Sequence, residues 1–175
     1  KIHTQYSICE GAIKIEKLKD FCKENKIPCL GLSDTSNLFG ALEFAENISK
    51  VGTQPIIGTQ IYFKFEDTTG LLPLIALNQK GYKRIIELSS KSYLENDALS
   101  DPHLDIRELL TKTDGVLLLS GTIQGLFGKL FEKGRLEEIS KIYKDLSLIL
   151  NDNFYLEIQR HGDQNETAFE KFNLE

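Results

Sequence analysis

A histidine at position 3, an aspartate closing an apolar run, and a histidine near the far end are the residues in this 175-residue chain best equipped for chemistry. His3 stands with Tyr6 and Glu10, Asp34 ends LGLSD and is followed by Thr35, Ser36 and Asn37, and Gln60, Thr122 and His161 sit in or just after other apolar stretches. His3, Glu10, Asp34 and His161 are the imidazole and carboxylate types that could converge on a borderline cation such as zinc or manganese. The same residues have a plainer use. Isolated His and Asp side chains at strand ends are often loop hydrogen-bonders or helix caps, and Asp34 could cap a helix behind it.

Other chemistries find no support. GTIQGLFGK (residues 121–129) has the glycines of a phosphate loop but the wrong spacing, and Leu130 stands where a metal-binding hydroxyl is needed, so the glycines are read as a turn. No G-x-S-x-G elbow occurs, and Cys9, Cys22 and Cys29 neither form a C-x-x-C pair nor adjoin a His. A net charge of -5, with no basic run longer than Lys83-Arg84, lacks the footprint of a module that grips phosphate backbones by itself. At 41% apolar and 27% charged, the composition is that of a folded, water-soluble chain, and no apolar run is long enough to span a bilayer. The expected location is cytoplasmic, with no membrane partner.

The elements that must position these residues follow from periodicity. Helical spacing predicts helices over about 13–23, 37–51, 81–93 and 136–150, with a short one near 106–110. Uninterrupted apolar runs predict buried strands at PCLGLS, PIIGTQIYFKF, LLPLIAL, GVLLLS and FYLEIQ, with a hairpin turn at Asp67 to Gly70. Alternating strands and helices imply an α/β fold with a mainly parallel sheet, either open or closed into a barrel. Sites in such folds gather at the carboxyl ends of the strands, where the candidates above lie. A closed barrel needs about 250 residues, so the chain is read as one domain over 1–175, an N-terminal piece with a clipped first strand and missing barrel units.

Six separated blocks carry a resemblance in order and spacing: IHTQYSICEGA, LGLSDTSNLFGALEFA, QPIIGTQIYF, LIALNQKGYKRIIELSSKSYL, GVLLLSG and FYLEIQRHG. Together they resemble the PHP (polymerase and histidinol phosphatase) domain at the N-terminus of the bacterial DNA polymerase III alpha subunit. The resemblance implies a distorted (β/α)7 barrel, incomplete here. In active members it further implies an opening His-x-His-Thr-x-Tyr-Ser followed by Asp-Gly, then Thr-Asp-His-Gly-Asn, then a Glu, a His, a Cys and a further His, all serving a trinuclear metal site.

By that pattern His3, Asp34 and His161 are retained. Lys1 replaces the first His, Glu10 the Asp, Thr35 the His after Asp34, Gln60 the Glu, Leu71 the next His and Thr122 the Cys. Lys1 adds repulsion to a cation cluster, Leu71 offers no lone pair, and Gln60 removes a negative charge. The expectation is a vestigial metal site of His3, Glu10, Asp34 and His161, binding one zinc or manganese ion weakly or none, with no catalytic residue of its own. Thr35 to Asn37 would then need only to cap a helix. By resemblance, the chain's role is DNA replication within a DNA-directed DNA polymerase, where it supports the polymerase and docks the proofreading exonuclease subunit. Other holoenzyme subunits, DNA contacts and the magnesium of nucleotidyl transfer would belong to the rest of the polypeptide. A PHP phosphoesterase or 3'-5' exonuclease with an altered ligand set is the alternative.

Overall fold

The computed structural model describes residues 1–97, 99–111 and 113–175. Helix α1 (Ile15–Asn25) buries Ile15, Leu18 and Cys22 along one stripe and ends where Lys26 turns left-handed at φ 51°, its N–H returning to the Cys22 carbonyl. Strand β1 (Cys29–Thr35) follows, then α2 (Ala41–Ser49), which packs Phe44 and Ile48 against Leu32 and the α1 stripe. Together these elements enclose the smaller of two hydrophobic clusters.

The larger cluster is organised by β2 (Gln54–Phe65), whose two edges serve different neighbours. One edge pairs in parallel with β1 from Gln54 to Gln60, and the other pairs antiparallel with β3 (Thr68–Ala76) from Gly58 to Phe65. The next elements are α3 (Gln79–Leu94), the short β4 (Leu104–Asp105), a 3-10 turn over Ile106–Leu110 and β5 (Val116–Leu119). After them come α4 (Leu126–Glu132), α5 (Leu136–Leu150), β6 (Phe154–Tyr155) and α6 (Glu166–Leu174). The strand order is β1-β2-β3-β5-β6, with β4 beside the far end of β2. Among the described residues no helix is long and apolar enough to cross a membrane.

Several expectations are corrected. The sheet is mixed, because β3 runs antiparallel to both β2 and β5 and only the other pairings are parallel. The hairpin turn is tighter than Asp67 to Gly70: Glu66 at φ 51° and Asp67 make it, and Lys133 and Arg135 neutralise both carboxylates. The glycines of 121–129 do form a turn, with Gly125 N–H bonded to the Thr122 carbonyl at 2.9 Å, but the segment then becomes α4. FYLEIQ pairs only over its first two residues. Helix α2 starts at Ala41 rather than 37, since the Asn37 carboxamide is committed elsewhere, as described below.

Where α3 leaves β3 it passes so close to the loop before β5 that a Cβ on Gly81 would lie 1.7 Å from the Gly115 carbonyl oxygen. A glycine-to-alanine change inside a helix ordinarily stabilises it. Here Gly81→Ala is expected to destabilise the chain by about 1–3 kcal/mol through forced separation of α3 from the sheet. Urea midpoints of the two proteins check the sign; a rise in the midpoint would mean that the contact yields freely.

Candidate functional site

The opening segment is laid along β1 by two backbone bonds: Ile2 N–H donates to the Gly31 carbonyl at 3.0 Å, and Ser33 N–H donates to the Ile2 carbonyl at 2.9 Å. That register puts Thr4 and Ser7 against Asp34. The Asp34 carboxylate is fully buried, and it accepts from Thr4 N–H at 2.6 Å, Thr4 Oγ1 at 2.7 Å and Ser7 Oγ at 2.7 Å. A buried carboxylate is tolerated when donors replace its water, and three do so here. Ser7 Oγ also accepts from Thr35 N–H at 3.1 Å.

Asp34 therefore caps no helix. The cap position of α2 is Gly40, which has no side-chain bond to offer. Thr35 to Asn37 do not cap it either. Asn37 accepts from Phe39 N–H and donates to the Tyr6 and Thr35 carbonyls, each bond between 2.9 and 3.1 Å, which pins the opening segment a second time. Thr35 Oγ1 donates to the Glu10 carboxylate and accepts from Gln60 Nε2 at 2.8 Å.

A cavity of about 200 Å³ opens beside this network, walled by Lys1, His3, Gln60, Leu71, Thr122 and Gln159 among others. Of the four sequence-predicted ligands only His3 lines it. Burial lowers the His3 pKa and Lys1 lowers it further, while Glu10 and Asp34 oppose the shift. Its Nδ1 is buried without a hydrogen-bond partner among the described residues. Glu10 is turned to Thr35, Asp34 is consumed by Thr4 and Ser7, and His161 is exposed on the loop after β6, its Nε2 3.1 Å from Gln159 Oε1. Among the described residues no group of three or more His, Cys, Asp or Glu is placed to hold a metal ion. The cavity wall contains a lysine and no carboxylate. These residues do not fit the multi-ion cluster that the resemblance implies for active members, which needs anionic ligands to offset its charge.

Two residues missed at the sequence level shape this region. Glu157 receives the Lys1 ammonium at 2.7 Å, and Glu166 accepts from His161 N–H at 2.8 Å and Gly162 N–H at 2.8 Å. A lysine at a ligand position requires a counter-ion, which was the one signal pointing toward Glu157.

The chain matches the PHP domain family over residues 1–161, so it belongs to that family. Its relatives include the DNA polymerase III alpha subunits of Caulobacter vibrioides (34% identical, covering 97% of this chain and 16% of the relative) and Rickettsia felis (35%, 97% and 14%). The subunit of Thermus aquaticus is 34% identical over 91% of this chain and 14% of its own length. The chain is thus homologous to the N-terminal region of these subunits and spans about one-sixth of their length or less. Among solved structures, a "putative metal-dependent phosphoesterase" from Bifidobacterium adolescentis shares the fold, with a TM-score of 0.63 at 12% identity over 98% of this chain and 80% of that one.

Two predictions follow from this geometry. Asp34→Ala strands two hydroxyls and one N–H in a buried site and is expected to cost on the order of 3 kcal/mol, with Asp34→Asn costing less because one acceptor oxygen survives. Equal urea midpoints for wild type and Asp34→Ala would show that the carboxylate anchors nothing.

The Glu166 carboxyl is held below its usual range by the His161 N–H first and by the Gly162 and Asp163 N–H groups next, against the opposing effect of burial. A depressed folded-state value contributes stability above the unfolded carboxyl pKa, and that stability is lost as pH falls through the folded one. Urea titrations from neutral pH down through the carboxylate range should show wild type losing more stability than Glu166→Gln. Parallel profiles would remove Glu166 as a cause.

Proposed function

We propose that this chain is the N-terminal PHP domain of a bacterial replicative DNA polymerase III alpha subunit, a cytoplasmic DNA-directed DNA polymerase, and that it performs no catalysis of its own. Homology over nearly the whole chain supports the placement. The observation that carries the absence of catalysis is the cavity wall itself, in which Lys1, Gln60, Leu71 and Thr122 stand where an ion cluster needs anionic or imidazole ligands. The domain's work is then structural: it supports the polymerase and offers a docking surface to the proofreading exonuclease subunit. DNA, the other holoenzyme subunits and the magnesium of nucleotidyl transfer are handled elsewhere in the polypeptide.

A second reading, a metal-dependent phosphoesterase or 3'-5' exonuclease, draws on the fold shared with the Bifidobacterium protein. Its weakness is chemical. Generating a metal-bound nucleophile requires an ion held by ligands that offset its charge, and Asp34, the one retained carboxylate, has both oxygens engaged by Thr4 and Ser7.

The test offers the alpha subunit a phosphate monoester and a labelled single-stranded DNA end with added manganese or zinc. The assays use a polymerase-dead variant against a protein-free background, and the exonuclease subunit is titrated separately onto the same protein. No release above background and a stable complex are expected. Turnover abolished by Asp34→Ala would establish the second reading, and failure of the subunits to associate would remove the docking role.

A further inference from the structure

The β2–β3 hairpin reaches past its neighbour in the sheet. Strand β1 stops pairing at Gln60, while β2 and β3 go on pairing with each other as far as Phe65 and Thr68. Strand β4 borders this overhang only at Phe63 and Lys64. A two-residue turn closes it, and the first of those residues, Glu66, is left-handed at φ 51°. Glycine adopts that conformation freely, and a glutamate does so at a cost.

What offsets that cost is ionic. Arg135 Nη2 lies 2.5 Å from Glu66 Oε2, and Arg135 Nη1 lies 3.1 Å from Asp67 Oδ1. Lys133 Nζ lies 2.9 Å from Asp67 Oδ2 and donates to Thr68 Oγ1 at 2.7 Å. Lys129 Nζ donates to the Thr69 carbonyl at 2.9 Å. The Arg135 guanidinium also lies over the Phe65 ring, 5.1 Å from its centroid, and is braced by Glu138. Three cations from α4 and the joint before α5 therefore hold the hairpin from its tip to the first residues of β3. There β3 and α4 touch so closely that a Cβ on Gly70 would lie 2.3 Å from the Leu126 nitrogen.

We propose that the hairpin tip is an ionic strap, whose two carboxylates hook the α4–α5 joint, hold the start of β3 against α4, and let go when salt screens the pairs. The two halves are built unequally. The Glu66 and Asp67 side chains are 65% and 72% exposed, open to counter-ions, whereas Arg135 is 17% exposed and stays seated on Phe65. Both partners rest on the larger hydrophobic cluster, through Phe63 below the tip and Leu130 in α4, so release of the strap loosens the contact without unfolding the core. This role is independent of whether the domain turns over a substrate or docks a subunit.

Hydrogen exchange on the complete polypeptide reads the strap in peptides covering residues 63–71 and 126–138, with α3 as the internal control. Raising sodium chloride from about 0.1 to about 1 M shortens the screening length from about 10 Å to about 3 Å. In wild type this is expected to speed exchange in both peptides about fivefold, in keeping with a few exposed pairs acting together, and to leave α3 unchanged. The double variant Glu66→Gln with Asp67→Asn should be that fast already at the lower salt and respond little to more. Glu66→Gly separates the strap from the turn, because relief of the left-handed residue favours the hairpin while loss of the Arg135 pair speeds exchange in 126–138. A Glu66→Gly protein as slow as wild type in 126–138 would overturn the proposal, as would a double variant within twofold of wild type or a wild type indifferent to salt. Equal acceleration in α3 would overturn it too, because the whole domain would then be loosening.

Discussion

The Asp34 carboxylate is the constraint on which the rest of the site depends. A charge removed from water must be met by donors, and the three that meet it all come from Thr4 and Ser7. Holding those residues fixes the opening segment against β1, and from that register follow the place of His3 at the cavity and the reach of Lys1 toward Glu157. An aspartate at the end of a strand can face cations or hydroxyls. In this chain hydroxyls have taken the position, so the charge serves to bind one part of the chain to another.

Much of the fold was legible because it rests on local periodicity. The stripes of α1, α3 and α5 bury residues at helical spacing, and the apolar runs of β1, β2 and β5 lie where uninterrupted burial predicts them. What was not legible depends on distant partners. The hairpin made β3 antiparallel to β2 as read, but its second antiparallel partner β5 was not legible, and β6 is short because Ser120, a side chain far away in sequence, takes the Glu157 N–H that a neighbouring strand could otherwise have used. The start of α2 was misplaced because the Asn37 carboxamide answers to Tyr6 as well as to its own turn.

The site shows the same division. His3 and Asp34 were visible by type and by their position after apolar runs, yet neither the ligand reading of Asp34 nor the alternative that it caps a helix anticipated its donors, some thirty residues away. Glu157 and Glu166 carry no local mark. One acts on a residue 156 positions distant, and the other acts through backbone N–H groups that become available only once the loop after β6 has taken its shape.

The two hydrophobic clusters have a consequence for how the domain comes apart. The smaller one, built from α1, β1 and α2, is joined to the larger through the paired edge of β2 and through Leu38, which packs against both. Among the described residues, seven buried side chains stand on one side of that line and twenty on the other. Cooperative units of unequal core size open at unequal cost. The smaller cluster, around α1, β1 and α2, is therefore the unit expected to open at the lower cost, while β3, β5 and their helices stay packed.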